Sequence, residues 1–265
     1  PISLLTTSFE RIEQVTKITL ITGGSRGLGR SMAINSAKRG NDVVLSYHAN
    51  AEAAAEVVSE IEAMGRKAVA LQLDTGKVAD FDAFAATLKT QLSNVWGRND
   101  FDHLVNNAGH GECAPIGDVS EAMFDSLMDV HFKGVVFLTQ TLLPLLADGG
   151  RIVNISSGLT RFSFPGYAAY ASAKGAVEVF THYLATELGP RGITANTIAP
   201  GAIETDFRGG AVRDNAELNQ QIAGGTALGR VGLPDDIGPV VASLLDESSR
   251  WVTGQRIEVS GGYLS

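Results

Sequence analysis

A single cysteine, Cys113, stands among 265 residues, and no uninterrupted apolar run is long enough to cross a bilayer. A lone thiol forms no internal disulfide and suits a reducing compartment, so a cytoplasmic location is expected. The longest greasy stretch, "GVVFLTQTLLPLLA", is broken by Pro144, and no membrane partner is expected. Basic blocks are missing as well: 21 Lys and Arg stand against 29 Asp and Glu, a formal net charge of −8. Nucleic acid and anionic lipid are therefore disfavoured partners, because both are held by clustered cations. The opening "PISLLTTSFERIEQ" has neither the basic nor the apolar region of a secretory signal, and residues 1–16 read as a short amino-terminal extension.

What is present is a 44% hydrophobic chain with 30 glycines, ample for a large core and many tight turns. Seven short apolar runs, "KITLIT", "DVVLSY", "KAVALQL", "FDHLVNN", "GRIVNIS", "GITANTI" and "GQRIEVS", alternate with helical stretches. One such stretch is expected from about Leu28 to Arg39, and another is the alanine- and glutamate-rich "AEAAAEVVSEIEAM". Strands of this kind, spaced by helices, predict an α/β fold. Its core is a Rossmann-type doubly wound sheet of about seven parallel strands, with helices on both faces. No linker or repeat interrupts the pattern, so residues 17–265 read as one domain. The polar interval at about 204–225, bracketed by glycine pairs, is either a substrate lid or a plain surface excursion.

"LITGGSRGLGRSM" sets Gly23, Gly27 and Gly29 between the first strand and the first helix. Glycines let the backbone turn sharply and approach a pyrophosphate, whose charge then sits at the helix amino terminus. An acid closing the second strand would hold an adenosine ribose 2′-hydroxyl. No acid occurs between Val43 and Ala51, while Arg26 lies inside the glycine turn. A missing carboxylate and an added guanidinium favour NADP(H) over NAD(H).

"SFPGYAAYASAKGAVEVF" carries the chemistry. A helix from about Ala168 to Leu188, halted by Gly189 and Pro190, puts Tyr170 and Lys174 on one face; Tyr167 has Ala171 four residues on and no lysine. A free phenol titrates near pH 10, and a neighbouring ammonium lowers that value, making Tyr170 a usable acid or base. Upstream, "NISSG" ends a predicted strand with hydroxyls that can hydrogen-bond a reacting oxygen.

Taken in order, "TGGSRGLG" (22–29), Asp74, "NNAG" (106–109), "SS" (156–157), "YASAK" (170–174) and "PGAIET" (200–205) resemble the short-chain dehydrogenase/reductase family over about Lys17 to Gly262. The resemblance implies that Ser157 orients a carbonyl and that Tyr170 donates the proton. Lys174 would hold the nicotinamide ribose while depressing the Tyr170 pKa. It also implies cofactor contacts from Ser25, Leu28 and the glycine turn, from Asp74 at the adenine, and from Asn107, Ala108 and Gly109 along the cofactor. Pro200, Gly201, Ile203 and Thr205 would meet its nicotinamide end. Tyr47 to Asn50 match a 2′-phosphate pocket, with His48 and Arg26 as the candidates. A homotetramer is the implied assembly.

Two departures from the family pattern stand out. His131 occupies the place of the family's fourth catalytic member, an asparagine; it is either part of a proton relay or a packed helix residue. An imidazole's ordinary pKa of about 6.5 leads us to expect an inflection in the pH profile. Burial would lower that value, and Asp125 or Asp129 would raise it. Relatives that reduce acyl-carrier-protein thioesters dock the acidic carrier with two arginines. Arg191 matches one, but Asp148 stands where the other would be. A carboxylate there repels an acidic partner, so a small free ketone, aldehyde or alcohol is the expected substrate, lined by His110, Leu159, Phe162 and Phe207. The alternatives are 3-oxoacyl-[acyl-carrier-protein] reduction and, from another class, a non-catalytic NADP sensor; the latter is expected to lose the Tyr/Lys pair that this chain keeps.

Overall fold

A computed structural model describes residues 16–265. The expected extension at 1–16 lies, apart from Thr16, outside the described residues.

Seven strands build one sheet: β1 (Ile18–Ile21), β2 (Asp42–Tyr47), β3 (Ala68–Gln72), β4 (Phe101–Asn106), β5 (Leu146–Ile155), β6 (Thr194–Pro200) and β7 (Arg256–Val259). Their order is β3-β2-β1-β4-β5-β6-β7, and every neighbouring pair is parallel. β5 starts four residues ahead of the expected Gly150, with a register shift against β4 between Phe101 and His103.

Alternate strand residues point to opposite faces, and both faces are dry. Leu20, Val44, Leu104 and Ile152 pack on α3 (Phe81–Gln91), α5 (Gly134–Leu142) and α6 (Ala168–Leu188) through Phe81, Leu88, Leu138 and Leu184. Their neighbours Ile21, Val43, Val105 and Val153 pack on α1 (Gly27–Lys38), α2 (Ala51–Ala63) and α9 (Pro234–Leu245) through Met32, Val57, Ile237 and Val241. This two-sided burial is why the strands read as continuous apolar runs rather than alternating ones.

A polar ladder crosses the middle of the sheet. Asn106 Nδ2 donates to Asn154 Oδ1 at 2.8 Å and to Thr139 Oγ1 at 3.0 Å. Asn154 Nδ2 donates to Thr181 Oγ1 at 2.9 Å, and Thr197 Oγ1 to the same hydroxyl at 2.9 Å. All five side chains are buried.

Two local features position the site. α4 (Glu121–Met128) runs into α5 through a wide π-turn at Asp129–Lys133, where the helix must pass the Thr75 carbonyl; a Cβ at Gly134 would strike that oxygen. The polar interval after β6 is helical rather than open loop: a tight turn at Phe207–Gly210, then α7 (Ala211–Asp214) and α8 (Ala216–Gly224). Arg208, Gly209 and Gly210 all carry positive φ (53°, 67° and 82°), which turns the chain sharply ahead of α7.

Candidate active site

The chain leaves β1 for β2 on one side and reaches β4 on the other, so the carboxyl ends of β1 and β4 part into a crevice. A cavity of about 770 Å³ opens there, running from the glycine turn after β1 to the helices after β6.

At one end the wall is backbone. Gly23 and Gly27 have φ of 65° and 53°. Gly29 lies so close to the turn that a Cβ would collide with the Gly23 carbonyl and sit 2.6 Å from Asn107 Nδ2. The Asn107 side chain ties the turn to the next loop, donating to the carbonyls of Thr22 (2.8 Å) and Gly23 (3.2 Å). Thr22 Oγ1 accepts from the N–H groups of Asn107 and Ala108 at 2.9 and 3.0 Å. Ser25, Leu28, Ala108 and Gly109 complete the wall. α1 opens toward it with no acid in its first turn and no side chain capping it. A side-chain-free cradle at an uncapped helix start fits a dinucleotide pyrophosphate.

Farther along, Asp74 lines the cavity. Burial works against its charge, but the Gly76 N–H, Lys77 and His48 hold its carboxyl below the ordinary range. His48 Nε2 stands 3.5 Å from Asp74 Oδ2, and Arg26 Nη1 3.8 Å from Asp206 Oδ2; both the His48 and Arg26 side chains are exposed and line the cavity. Tyr47 and Asn50 do not join them. The Tyr47 ring, half-buried at the end of β2, packs on the core, and Asn50 Oδ1 caps α2 by accepting from Ala53 N at 2.9 Å. The remaining expected contacts, Pro200, Gly201, Ile203 and Thr205, all line the cavity. Ile203 is held by a bridge to Gly232, and Thr205 Oγ1 accepts from Phe207 N.

At the other end Ser157, Tyr170 and Lys174 converge. α6 has the expected bounds, so Tyr170 and Lys174 share a face, both buried. Burial raises the Tyr170 pKa above its ordinary value, with a hydrogen bond to Ser157 pulling the other way. The net shift is upward, the reverse of the depression by Lys174 expected from their spacing. The Lys174 ammonium donates to the Ile155 carbonyl at 2.7 Å, lies 5.8 Å from the Tyr170 ring centre, and is itself pushed down to about 7 by burial. The loop bearing Ser157 is fixed from below, where Glu178 Oε1 accepts from Ser156 Oγ (2.7 Å) and Arg256 Nε (2.9 Å).

His131 sits in the π-turn, buried edge-on to Tyr170 with ring centres 5.0 Å apart. Its Nε2 is 2.6 Å from the His110 carbonyl. A carbonyl only accepts, so Nε2 carries the hydrogen and Nδ1, which has no partner among the described residues, is bare. Burial, then the Lys174 charge, holds its pKa well below 6.5. Of the two opposed influences expected from sequence, burial wins; Asp129 is taken up by Lys133 at 3.0 Å. An imidazole held this low adds no inflection in the neutral range, contrary to the expectation from sequence.

His110, Leu159, Phe162 and Phe207 line the cavity as expected, and three aromatic rings join them that the sequence reading passed over: Phe164, Tyr167 and Tyr263. Tyr167 was signalled, since it precedes Tyr170 by three residues and so shares its face. Its hydroxyl accepts from the Arg208 guanidinium, which also reaches Cys113 Sγ at 2.8 Å. Tyr263 had no local signal, being far off in sequence. Among the described residues no group of His, Cys, Asp and Glu is arranged to hold a metal ion, and no helix is long and apolar enough to cross a membrane.

A family model described as enoyl-(acyl carrier protein) reductase matches residues 23–264. The hydroxynaphthalene reductase-like protein Arp2 of Metarhizium brunneum is 37% identical over 257 residues, covering 93% of this chain and 94% of its own. Among solved structures, the promiscuous reductase LugOII, which catalyses keto-reduction at C1 during lugdunomycin biosynthesis, superposes with a TM-score of 0.90 at 39% identity, covering 95% of this chain and 99% of that one. The angucycline C-6 ketoreductase LanV with bound NADP gives 0.89 at 38%, covering 94% and 96%; LanV has also been solved with NADP and rabelomycin.

Proposed function

The chain belongs to the short-chain dehydrogenase/reductase family and is an oxidoreductase, and from that premise we propose that it reduces a free ketone on a fused aromatic ring system with NADPH. The observation that carries the reading is that Ser157 and the buried Tyr170–Lys174 pair line one cavity together with several aromatic rings. The names of relatives agree: one is a hydroxynaphthalene reductase-like protein, and another is a C-6 ketoreductase solved with NADP.

Two hydroxyls converge on the position of a carbonyl oxygen. Ser157 orients that oxygen, and Tyr170, held neutral by burial, is a donor that gives its proton as the alcohol forms. NADPH, when bound, supplies the hydride. Lys174, charged once the dinucleotide is bound, holds the ribose. His131 acts as a positioning residue: its Nε2–H grips the His110 carbonyl and fixes the 107–110 loop against the π-turn. The segment at 204–225 serves as a lid, latched by Arg208 on Tyr167. The homotetramer implied by the family and the cytoplasmic setting expected from the lone cysteine belong to the same proposal.

A carrier-protein thioester is the second reading. Against it, Arg191 Nε is engaged by Asp148 at 2.7 Å, and its guanidinium also donates to the carbonyls of Leu143 and Leu146. The one arginine that would meet an acidic carrier is thus already neutralised. Incubation with NADPH and either a hydroxylated tetralone or a carrier-bound 3-oxoacyl thioester, followed by mass spectrometry of products, tests the choice. Turnover of the thioester alone refutes the free-ketone reading.

NADP preference rests on Arg26 and the acid-free end of β2. Arg26→Ala is expected to raise the Kd for NADPH roughly tenfold or more, the scale of a lost charge-assisted bond of about 1.5–3 kcal/mol, and to spare NADH. Equal kcat/KM for the two cofactors in the parent enzyme contradicts it.

Lys174 gives a pH prediction. With its folded pKa near 7, it is mostly uncharged above that pH. A bound dinucleotide favours the ammonium, so binding raises the pKa and takes up a proton in the window above about 7. Calorimetric titration with NADPH at pH 8, in buffers of different ionisation heat, should register this uptake. At pH 6, where the lysine is already charged, the uptake should vanish, and in Lys174→Met it should be absent throughout. Buffer-independent heats at pH 8 in the parent would sink the idea.

A further inference from the structure

The segment after β7 belongs to the substrate cavity. Tyr263 is buried to 7% exposure, yet it lines the cavity. Its ring meets Phe162 at 4.9 Å and Phe164 at 6.2 Å between centres, and it packs with Ile222 of α8. Gly225 makes room for it, since a Cβ there would lie 3.0 Å from the ring.

Three ties hold this segment. Arg161, four residues beyond Ser157, donates to the carbonyls of Tyr263 (2.6 Å) and Leu264 (3.0 Å) while paired with Glu258 (2.6 and 2.7 Å). Tyr263 bridges Thr226 in antiparallel fashion, and Leu264 N donates to the Gly225 carbonyl at 3.0 Å. The tyrosine is thus clamped between the loop bearing Ser157 and the end of the lid segment. Its backbone N–H and carbonyl are both bonded, whereas its hydroxyl makes no hydrogen bond among the described residues. Burial raises the pKa of that hydroxyl, which keeps it a neutral donor. An apolar wall carrying one unpartnered hydroxyl suits a planar ring with an oxygen substituent at its edge.

We infer that Tyr263 is a specificity-determining residue. Its ring packs on the fused system of the substrate, and its hydroxyl hydrogen-bonds a second oxygen, distinct from the reacting carbonyl. The inference deepens the fused-ring ketone reading and rests on it.

The test compares kcat/KM on a hydroxytetralone, the unsubstituted tetralone and cyclohexanone. Tyr263→Phe keeps the packing, and should cut the preference for the hydroxytetralone over the tetralone about fivefold. Tyr263→Ala removes the wall, and should cut the preference for the tetralone over cyclohexanone about tenfold. Thermal melts check that both variants fold, with the phenylalanine variant as the safe arm. An unchanged hydroxytetralone preference in Tyr263→Phe overturns the hydroxyl's part, and unchanged preferences in both variants overturn the whole inference. A parent enzyme that reduces cyclohexanone but neither tetralone overturns the fused-ring reading itself, a result separable from the other two.

Discussion

Tyr170→Phe is expected to lower kcat for carbonyl reduction by at least about a hundredfold while leaving the melting temperature nearly unchanged. The ring is retained, and with it the edge contact to His131 at 5.0 Å and the contact to Phe207 at 5.9 Å. What is lost is the proton. The neighbouring hydroxyl of Ser157 is a poorer acid, and the Lys174 ammonium is turned to the Ile155 carbonyl, so neither replaces it. Tyr167→Phe is the matched control. Its hydroxyl is bound to Arg208, so its removal loosens the latch and should affect KM more than kcat. Equal losses of kcat in the two variants would mean the wrong tyrosine has been given the chemistry.

Gly29→Ala is expected to raise the Kd for NADPH by roughly tenfold or more and to depress the melting temperature. Its added methyl has no free direction: the Gly23 carbonyl blocks one side, and Asn107 Nδ2, 2.6 Å away, the other. Both are parts of the cradle, so relief of the clash displaces the turn that approaches the pyrophosphate. Overpacking of this kind costs about 1–3 kcal/mol in stability before any effect on binding. Gly224→Ala is the contrast, because a carbon added there meets nothing within 4 Å. NADPH titrations of the two variants by fluorescence would settle the matter. Wild-type affinity in Gly29→Ala would show that the turn has slack.

Much of this site was legible because its signals are local. A helix repeat places Tyr170 and Lys174 on one face, and the strand–glycines–helix order gives the cradle; both can be read from short windows. Side-chain direction was not. Lys174 shares a face with Tyr170, but its ammonium is committed to a carbonyl of β5, a partner no spacing reveals. Tyr47 and Asn50 sit in the right stretch, yet packing claims one and a helix cap the other. The sign of the His131 shift depended on how much solvent reaches the π-turn and on the Lys174 charge, neither of which helix spacing reveals. Tyr263 was invisible because it reaches the cavity through tertiary ties from Arg161 and the end of α8.

The polar ladder through the sheet bears on how the chain reaches this state. Asn106, Asn154, Thr181 and Thr197 come from β4, β5, α6 and β6, and their buried polar groups bond one another across those elements. Docking β4 on β5 before α6 arrives would leave the Asn154 amide desolvated and unbonded, at a cost of about 1–3 kcal/mol. Intermediate assemblies are therefore penalised, while the finished one is not. The centre of the molecule should form in a single cooperative step, limited by the slow closure of its long parallel crossovers. Its amides should then exchange with solvent as one block, at the free energy of global unfolding.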